Sequence, residues 1–320
     1  MKVGYSLGPL LSVEEVLKCA SLADAHGADS VWVPESWGRE SFSTLGALAQ
    51  ATDKVRLGTS ITSIFARTPA TIAMGAVTLD ALSDGRCIIG LGTSTEAIVE
   101  GWHGVKFERP ASRMKEYVEC IKLMMSGEKV NYAGEFFKVS NFKMLNAPKR
   151  QVPVFLAAVN KRMLALAAEK ADGVLLYMRL LQELRETTAW LKASAEAKFE
   201  VALSLICAVS DGEPEKARER AAKTLAFYIA VGKYYRDFLA ENGYPKETEE
   251  IAEEYKKNGG DAAGRQVPRE MLDALTVCGT KQECRKALAR FVDAGVTLPI
   301  LQVNPVEGAE SSFRDMLSTF

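Results

Sequence analysis

The chain has 320 residues, 48% hydrophobic and 25% charged, with a formal net charge of −1. That balance suits a soluble globular enzyme with a sizeable core and offers little to nucleic acid or an anionic membrane. No apolar run reaches the roughly 18 residues a membrane span needs, and the opening MKVGYSLGPLL lacks a signal-peptide profile, so a cytoplasmic protein is expected.

In chain order, short β-rich apolar runs alternate with amphipathic helical segments. Residues 2–5 read as a first strand. A helix follows from Ser12, whose hydroxyl and Glu15 form a capping box. It buries Val16, Cys19, Ala20 and Ala23 at helical spacing and stops at His26-Gly27. Residues 30–33 are a second strand and 41–52 a helix; 55–61 are a third strand, and Thr68-Pro69 cap and open the next helix. A fourth strand covers 86–91, a long helix 111–125, and a hairpin-like patch 130–132 and 136–139.

The alternation resumes with strand 154–157, helix 161–171, strand 173–176, helix 180–195, strand 200–208 and helix 213–230. Residues 232–275 are charged and helical, broken at Gly259-Gly260, and read as an inserted excursion. Helix 281–294, strand 298–302 and a terminal helix close the chain. Eight strands, most followed by helices, predict a single α/β domain over residues 1–320, a (β/α)8 TIM barrel with a helical insertion near 232–275.

In such a barrel the site lies at the C-terminal ends of the strands. The third of these ends is odd. Thr59, Ser60, Thr62 and Ser63 crowd four hydroxyls among Leu57, Ile61, Ile64 and Phe65. In a strand interior, each unpaired hydroxyl would cost roughly 1–3 kcal/mol. The other strand ends supply Ser6; Glu35, Ser36 and Trp37; Thr93, Ser94, Thr95 and Glu96; Ala157, Ala158, Val159 and Asn160; Tyr177 and Arg179; and Gln302 and Asn304. A small, polar rim of this kind suits a flat, hydrogen-bonding heterocycle.

Other motifs say less. The six cysteines contain no CxxC pair and read as small buried hydrophobes. Two histidines, His26 and His103, are too few to build a metal site or a Ser-His-Asp triad with ease. GLGTST at 90–95 lacks the third glycine of a dinucleotide fingerprint. LSDGR at 82–86 reads as a turn in which Gly85 takes a positive φ.

Five stretches carry a resemblance: VWVPESWG (31–38), RLGTSITSIFARTPATIAMGAVTLDALSDGRCIIGLGTS (56–94), EGWHGVKFERP (100–110), AAVNKRMLALAAEKADG (157–173) and VCGTKQECRKALARFVDAGV (277–296). On these the chain resembles the bacterial-luciferase-like superfamily, in its coenzyme F420-dependent oxidoreductase branch, which includes the methylenetetrahydromethanopterin reductases. The resemblance implies a non-prolyl cis peptide between Ser60 and Ile61, in a bulge that backs the deazaflavin ring. It implies a hydride transfer between coenzyme F420 and a small organic acceptor, with 5,10-methylenetetrahydromethanopterin as the leading acceptor.

The cofactor-binding residues expected on this basis are Ser36, Ser60, Ile61, Thr62, Ser63, Thr93, Ser94, Thr95, Ala157, Ala158, Val159, Asn160 and Arg179. Lys161, Arg162 and Arg179 are candidates for the cofactor's anionic tail. Glu96, or alternatively Glu35, is the expected proton donor. The reductases carry an acidic residue after the first strand and an Asp-His pair after the second; here Ser6 and Glu35-Ser36-Trp37-Gly38 stand there. Luciferase-like monooxygenases commonly use a histidine near the second strand, where this chain has Ser36. FMN with monooxygenase chemistry is therefore the alternative reading, and a non-catalytic flavin-binding relative a third. A homodimer or homotetramer is expected, with no metal.

Overall fold

The computed structural model describes residues 2–148 and 150–320. Its first half runs β1 (Gly4–Ser6), α1 (Val13–Ala25), β2 (Ser30–Val33), α2 (Ser41–Ala51), β3 (Arg56–Thr59), β4 (Thr62–Ser63), α3 (Pro69–Leu82), β5 (Cys87–Gly92), α4 (Glu96–His103) and α5 (Pro110–Met125). Next come β6 (Val130–Ala133), β7 (Lys138–Phe142), β8 (Val154–Ala157), α6 (Lys161–Lys170), β9 (Gly173–Tyr177), α7 (Leu181–Ser194) and β10 (Glu200–Val209). The chain ends with α8 (Pro214–Val231), α9 (Lys233–Glu241), α10 (Pro245–Arg265), α11 (Arg269–Leu275), β11 (Thr276–Gly279), α12 (Lys281–Asp293), β12 (Leu298–Val303) and α13 (Ala309–Thr319).

The local signals act as expected. Ser12 and Glu15 form the capping box of α1, and Thr68 caps α3 with Pro69 at its first turn. Gly85 turns at φ +82, and α10 kinks at Gly259. Strands β1, β2, β3, β5, β8, β9, β10 and β12 pair in parallel, in that order, and β12 returns to β1. The result is the closed (β/α)8 barrel.

Three details differ from the sequence expectation. The third strand breaks after Thr59 and resumes as the two-residue β4. The second arm of the hairpin lies at Lys138–Phe142, two residues later than its alternation suggests. A further strand, β11, pairs with residues 206–209 of β10. There β10 runs past its partner β9, whose pairing ends at Ser204, and carries the sheet beyond the rim.

Three cores follow. The largest lies between strands and helices. The barrel interior is filled by Trp32, Ile88, Phe155, Leu175, Ala202, Leu298 and Ile300, with Ile61 and Ala157 packed on top. The Trp32 indole N–H donates to Ser30 Oγ at 2.8 Å, so its buried polar atom is satisfied. The third core joins α8 to α11 on the extension of β10, through Ile206, Ala208, Leu225 and Met271.

The bottom of the barrel is closed by charge. Arg56 on β3 reaches across to Glu200 on β10 at 2.8 Å and to Asp29 at 2.5 Å, while Lys2 meets Glu200 at 2.9 Å. Burial works to raise the Glu200 pKa, but its hydrogen bonds to Arg56 and Lys2 outweigh that and hold it below the usual carboxylate value. The linkage sign follows: stability is present above the unfolded pKa, about 4.3, and is lost as pH falls through the lower folded value. Glu200→Gln is expected to cost about 1–2 kcal/mol at neutral pH. Urea unfolding of parent and variant should converge as the pH drops below about 4; a gap that persists at acid pH would exclude this assignment.

Candidate active site

The mouth of the barrel centres on the break after β3. Gly58 pairs with Ile88 and Thr62 with Leu91, so three residues of one strand oppose two of the other. This is a β-bulge. The Thr59 hydroxyl repairs the ladder: it donates to Gly90 O at 2.8 Å and accepts from Gly90 N at 2.8 Å. Thr62 donates to Glu35 Oε2 at 2.5 Å, and Ser63 Oγ accepts from Phe65 N at 3.2 Å. Three of the four crowded hydroxyls are thus structural.

The fourth belongs to Ser60, and the Ser60–Ile61 peptide is cis, at the bond the resemblance implied. Along 57–65, Ser60 and Ile61 alone are not buried. Their backbone is fixed from β2, with Ser60 N donating to Val33 O at 3.0 Å and Glu35 N to Ile61 O at 3.3 Å. Gly92 opposite makes room, since a Cβ there would stand 2.6 Å from the Ile61 side chain. The floor of the mouth is therefore one apolar side chain edged by the Ser60 hydroxyl, which makes no hydrogen bond among the described residues.

Glu35 and Arg179 hold this surface from behind. Glu35 accepts from Thr62 and from Arg67 Nη2 at 2.6 Å, and Arg67 also pairs with Glu40. Both Glu35 oxygens are therefore engaged within the protein. Arg179 is 2% exposed. It bonds Glu183, Thr187 and, at 2.8 Å, Val159 O, with its guanidinium over the Phe238 ring. It does not open onto the mouth but fixes the turn of Ala157, Ala158 and Val159. Asn160 ends that turn by capping α6, its Oδ1 accepting from Met163 N at 3.0 Å. The exposed Arg162 reaches Ser112 at 3.0 Å.

Across the mouth, Thr93, Ser94 and Thr95 lead from β5 into α4, with Ser94 at φ +58. Thr95 caps the helix and Glu96 is its first residue. Glu96 is exposed and makes no hydrogen bond or ion pair among the described residues. Of the two carboxylates expected there, Glu96 alone is unengaged. Ser36 forms a bridge with Arg39, and Ser6 is buried at the end of β1.

Trp37 and Tyr177, expected at strand ends, belong to an aromatic wall that the sequence did not otherwise show. Trp37 meets Trp102 of α4 at 6.0 Å and Phe227 of α8 at 5.1 Å, both edge to face. Phe227 continues to Tyr228 at 5.3 Å, which meets Tyr177 at 5.0 Å, and Tyr177 meets Tyr235 of α9 at 5.3 Å. The Tyr177 hydroxyl donates to Gln302 at 2.8 Å, with Tyr228 beside both. Burial pushes the Tyr177, Tyr228 and Tyr235 pKa values up, so all three hydroxyls stay protonated. Asn304 ties α8 to the rim, accepting from Thr224 at 2.6 Å. An adjacent Phe-Tyr pair on an otherwise amphipathic α8 was a further sign.

A sequence model of the luciferase-like monooxygenase family matches residues 2–298. The chain belongs to this family. Among luciferase-like relatives, the 5,10-methylenetetrahydromethanopterin reductase of Methanolobus tindarius is 30% identical over 306 residues, covering 93% of this chain and 92% of its own. The fold matches the coenzyme F420-dependent tetrahydromethanopterin reductase of Methanopyrus kandleri with a TM-score of 0.89 at 22% identity, covering 99% and 97% of the two chains. It also matches an F420-dependent secondary alcohol dehydrogenase, solved with an F420-acetone adduct, with a TM-score of 0.82 at 21% identity, covering 100% and 98%. No group of three or more metal-ligating side chains occurs among the described residues, and none of their helices is long and apolar enough to cross a membrane.

Proposed function

We propose that this luciferase-like chain is a coenzyme F420-dependent oxidoreductase. The observation that carries the reading is the floor at Ser60–Ile61, an apolar surface with a hydroxyl at its edge, held by Thr59, Glu35 and Gly92. It fits a heterocycle with an apolar face and a polar rim. Ser36 and Thr93 to Thr95 would border the ring. The capped α6 N-terminus behind Ala157 to Asn160 would take a phosphate, because its first N–H groups and its dipole favour an anion. When bound, the deazaflavin supplies hydride chemistry at C5.

The protein's own part is positioning and proton supply. The floor and the turn held by Arg179 fix the ring plane, so donor and acceptor meet in near-attack geometry. Glu96 stands unpaired at the rim and would protonate the oxygen or nitrogen of the acceptor as hydride arrives at its carbon. Glu35 acts on the floor alone, through Thr62. The finer reading of the acceptor is a cyclic C1-pterin, methylenetetrahydromethanopterin, supported by the 30% identity to the Methanolobus enzyme.

FMN with monooxygenase chemistry is less well supported. His26 closes α1 on the far side of the barrel, and Ser36 occupies the place of the histidine. Calorimetric titration tests the choice: F420 is expected to bind at least about tenfold more tightly than FMN, a difference of about 1.4 kcal/mol. Tighter FMN binding would reverse the reading.

A further inference from the structure

The aromatic wall stands over the proposed cofactor floor and takes no part in holding it. Trp37 and Trp102 are 41% and 54% exposed. Large indole surface left open at a mouth marks a binding surface rather than a core. Trp37 is also aimed there at some backbone expense, at φ +29, in the loop that Arg39 ties to Leu11 O at 2.6 Å. Two residues earlier, Glu35 N donates to Ile61 O, so this loop and the floor move as one piece.

The contacts along Trp102, Trp37 and Phe227 are edge to face, with none stacked in parallel. Among the described residues no guanidinium or ammonium lies over these rings, although arginines cover the rings of Phe42, Phe65, Phe136, Phe137 and Phe238. Ring faces free of stacking partners favour a flat guest, which gains most by offset stacking. At the inner end, the protonated Tyr228 hydroxyl offers a donor to a single polar group, beside the Tyr177 hydroxyl that already donates to Gln302.

We propose that the acceptor bears a flat conjugated ring system. It stacks on Trp37 and Trp102, with its reducible carbonyl or imine carbon turned toward Ile61. The proposal rests on the reading of the Ser60–Ile61 floor as the cofactor seat. Reduction forms one C–H bond with a hydride from the reduced cofactor, which is left oxidised. The C=O or C=N π pair moves onto the heteroatom and takes the proton of Glu96, which solvent restores. A short aliphatic ketone meets one ring at most and leaves the wall wet.

The test uses calorimetry on the full chain, with and without F420, and with 2-acetonaphthone and acetone as probes. The naphthyl ketone is expected to bind saturably, at least about tenfold more tightly than acetone. Trp37→Leu and Trp102→Leu should each weaken it about tenfold, while Trp37→Phe stays within about threefold of the parent. All three should keep F420 affinity within about threefold. Equal binding of the two ketones, or indifference to both Leu variants, would overturn the proposal. Ring-dependent naphthyl ketone binding without F420 binding would uphold the wall and refute the cofactor seat. F420 binding without naphthyl ketone binding would do the opposite.

Discussion

Glu96→Gln is expected to bind F420 within a few-fold of the parent while turnover falls by about a hundredfold or more, some 2.7 kcal/mol in the barrier. Glutamine keeps the size and the place at the start of α4 but carries no transferable proton. Glu35→Gln makes the contrast. It removes the charge that Arg67 and Thr62 meet, so it should loosen the floor and weaken F420 binding, with turnover recovering in part at saturating cofactor. Stopped-flow oxidation of reduced F420, with the acceptor that the parent turns over, separates the two. Normal turnover in Glu96→Gln, with an affinity-independent collapse in Glu35→Gln, would exchange their roles.

The second large effect belongs to Thr59. Thr59→Val keeps the shape and removes the hydroxyl that serves both Gly90 N and Gly90 O. Two buried backbone groups then lose their partner, at about 1–3 kcal/mol each. Urea unfolding should show a loss of about 3 kcal/mol, with Thr59→Ser restoring most of it. A Val variant within about 0.5 kcal/mol of the parent would mean that the ladder is mended by other means. Gly90 itself has no latitude, because a Cβ there would stand 2.0 Å from Thr59 O.

The barrel was legible because its signals are local. Each strand is a short apolar run and each helix an amphipathic one with caps, and the eight strand segments read from the chain are the eight that close the barrel. β11 was not legible. Thr276 to Gly279 follow straight on from helix α11 with no turn between them, and four buried residues become a strand only because β10 overruns the rim.

The site divides in the same way. Ser60, Ile61 and Glu96 could be chosen because each closes or follows a strand. The engagement of Glu35 with Arg67, 32 positions away, and of Arg179 with Val159, 20 positions away, depends on packing that no periodicity encodes. The wall brings Trp102 of α4 together with Phe227 and Tyr235 of the consecutive α8 and α9, far along the chain, and its continuity is a property of the closed barrel.

The extension of β10 has a consequence for how such a chain can diversify. The polypeptide leaves the sheet after Val209 and comes back at Thr276, and Val209 pairs with Gly279 and Ile206 with Thr276. Departure and return are thus anchored side by side on two neighbouring strands. Everything between them packs mainly on itself and on that ledge, around Leu225, Ile251 and Met271. A segment whose ends are already pinned together can be lengthened, shortened or exchanged with little demand on the scaffold beneath. Phe227, Tyr228 and Tyr235 belong to that segment, whereas Ser60, Ile61 and Glu96 do not. Grafting residues 210–275 between relatives should change the Phe227 to Tyr235 side of the acceptor pocket and leave Trp37, Trp102 and the hydride-transfer floor with the host barrel.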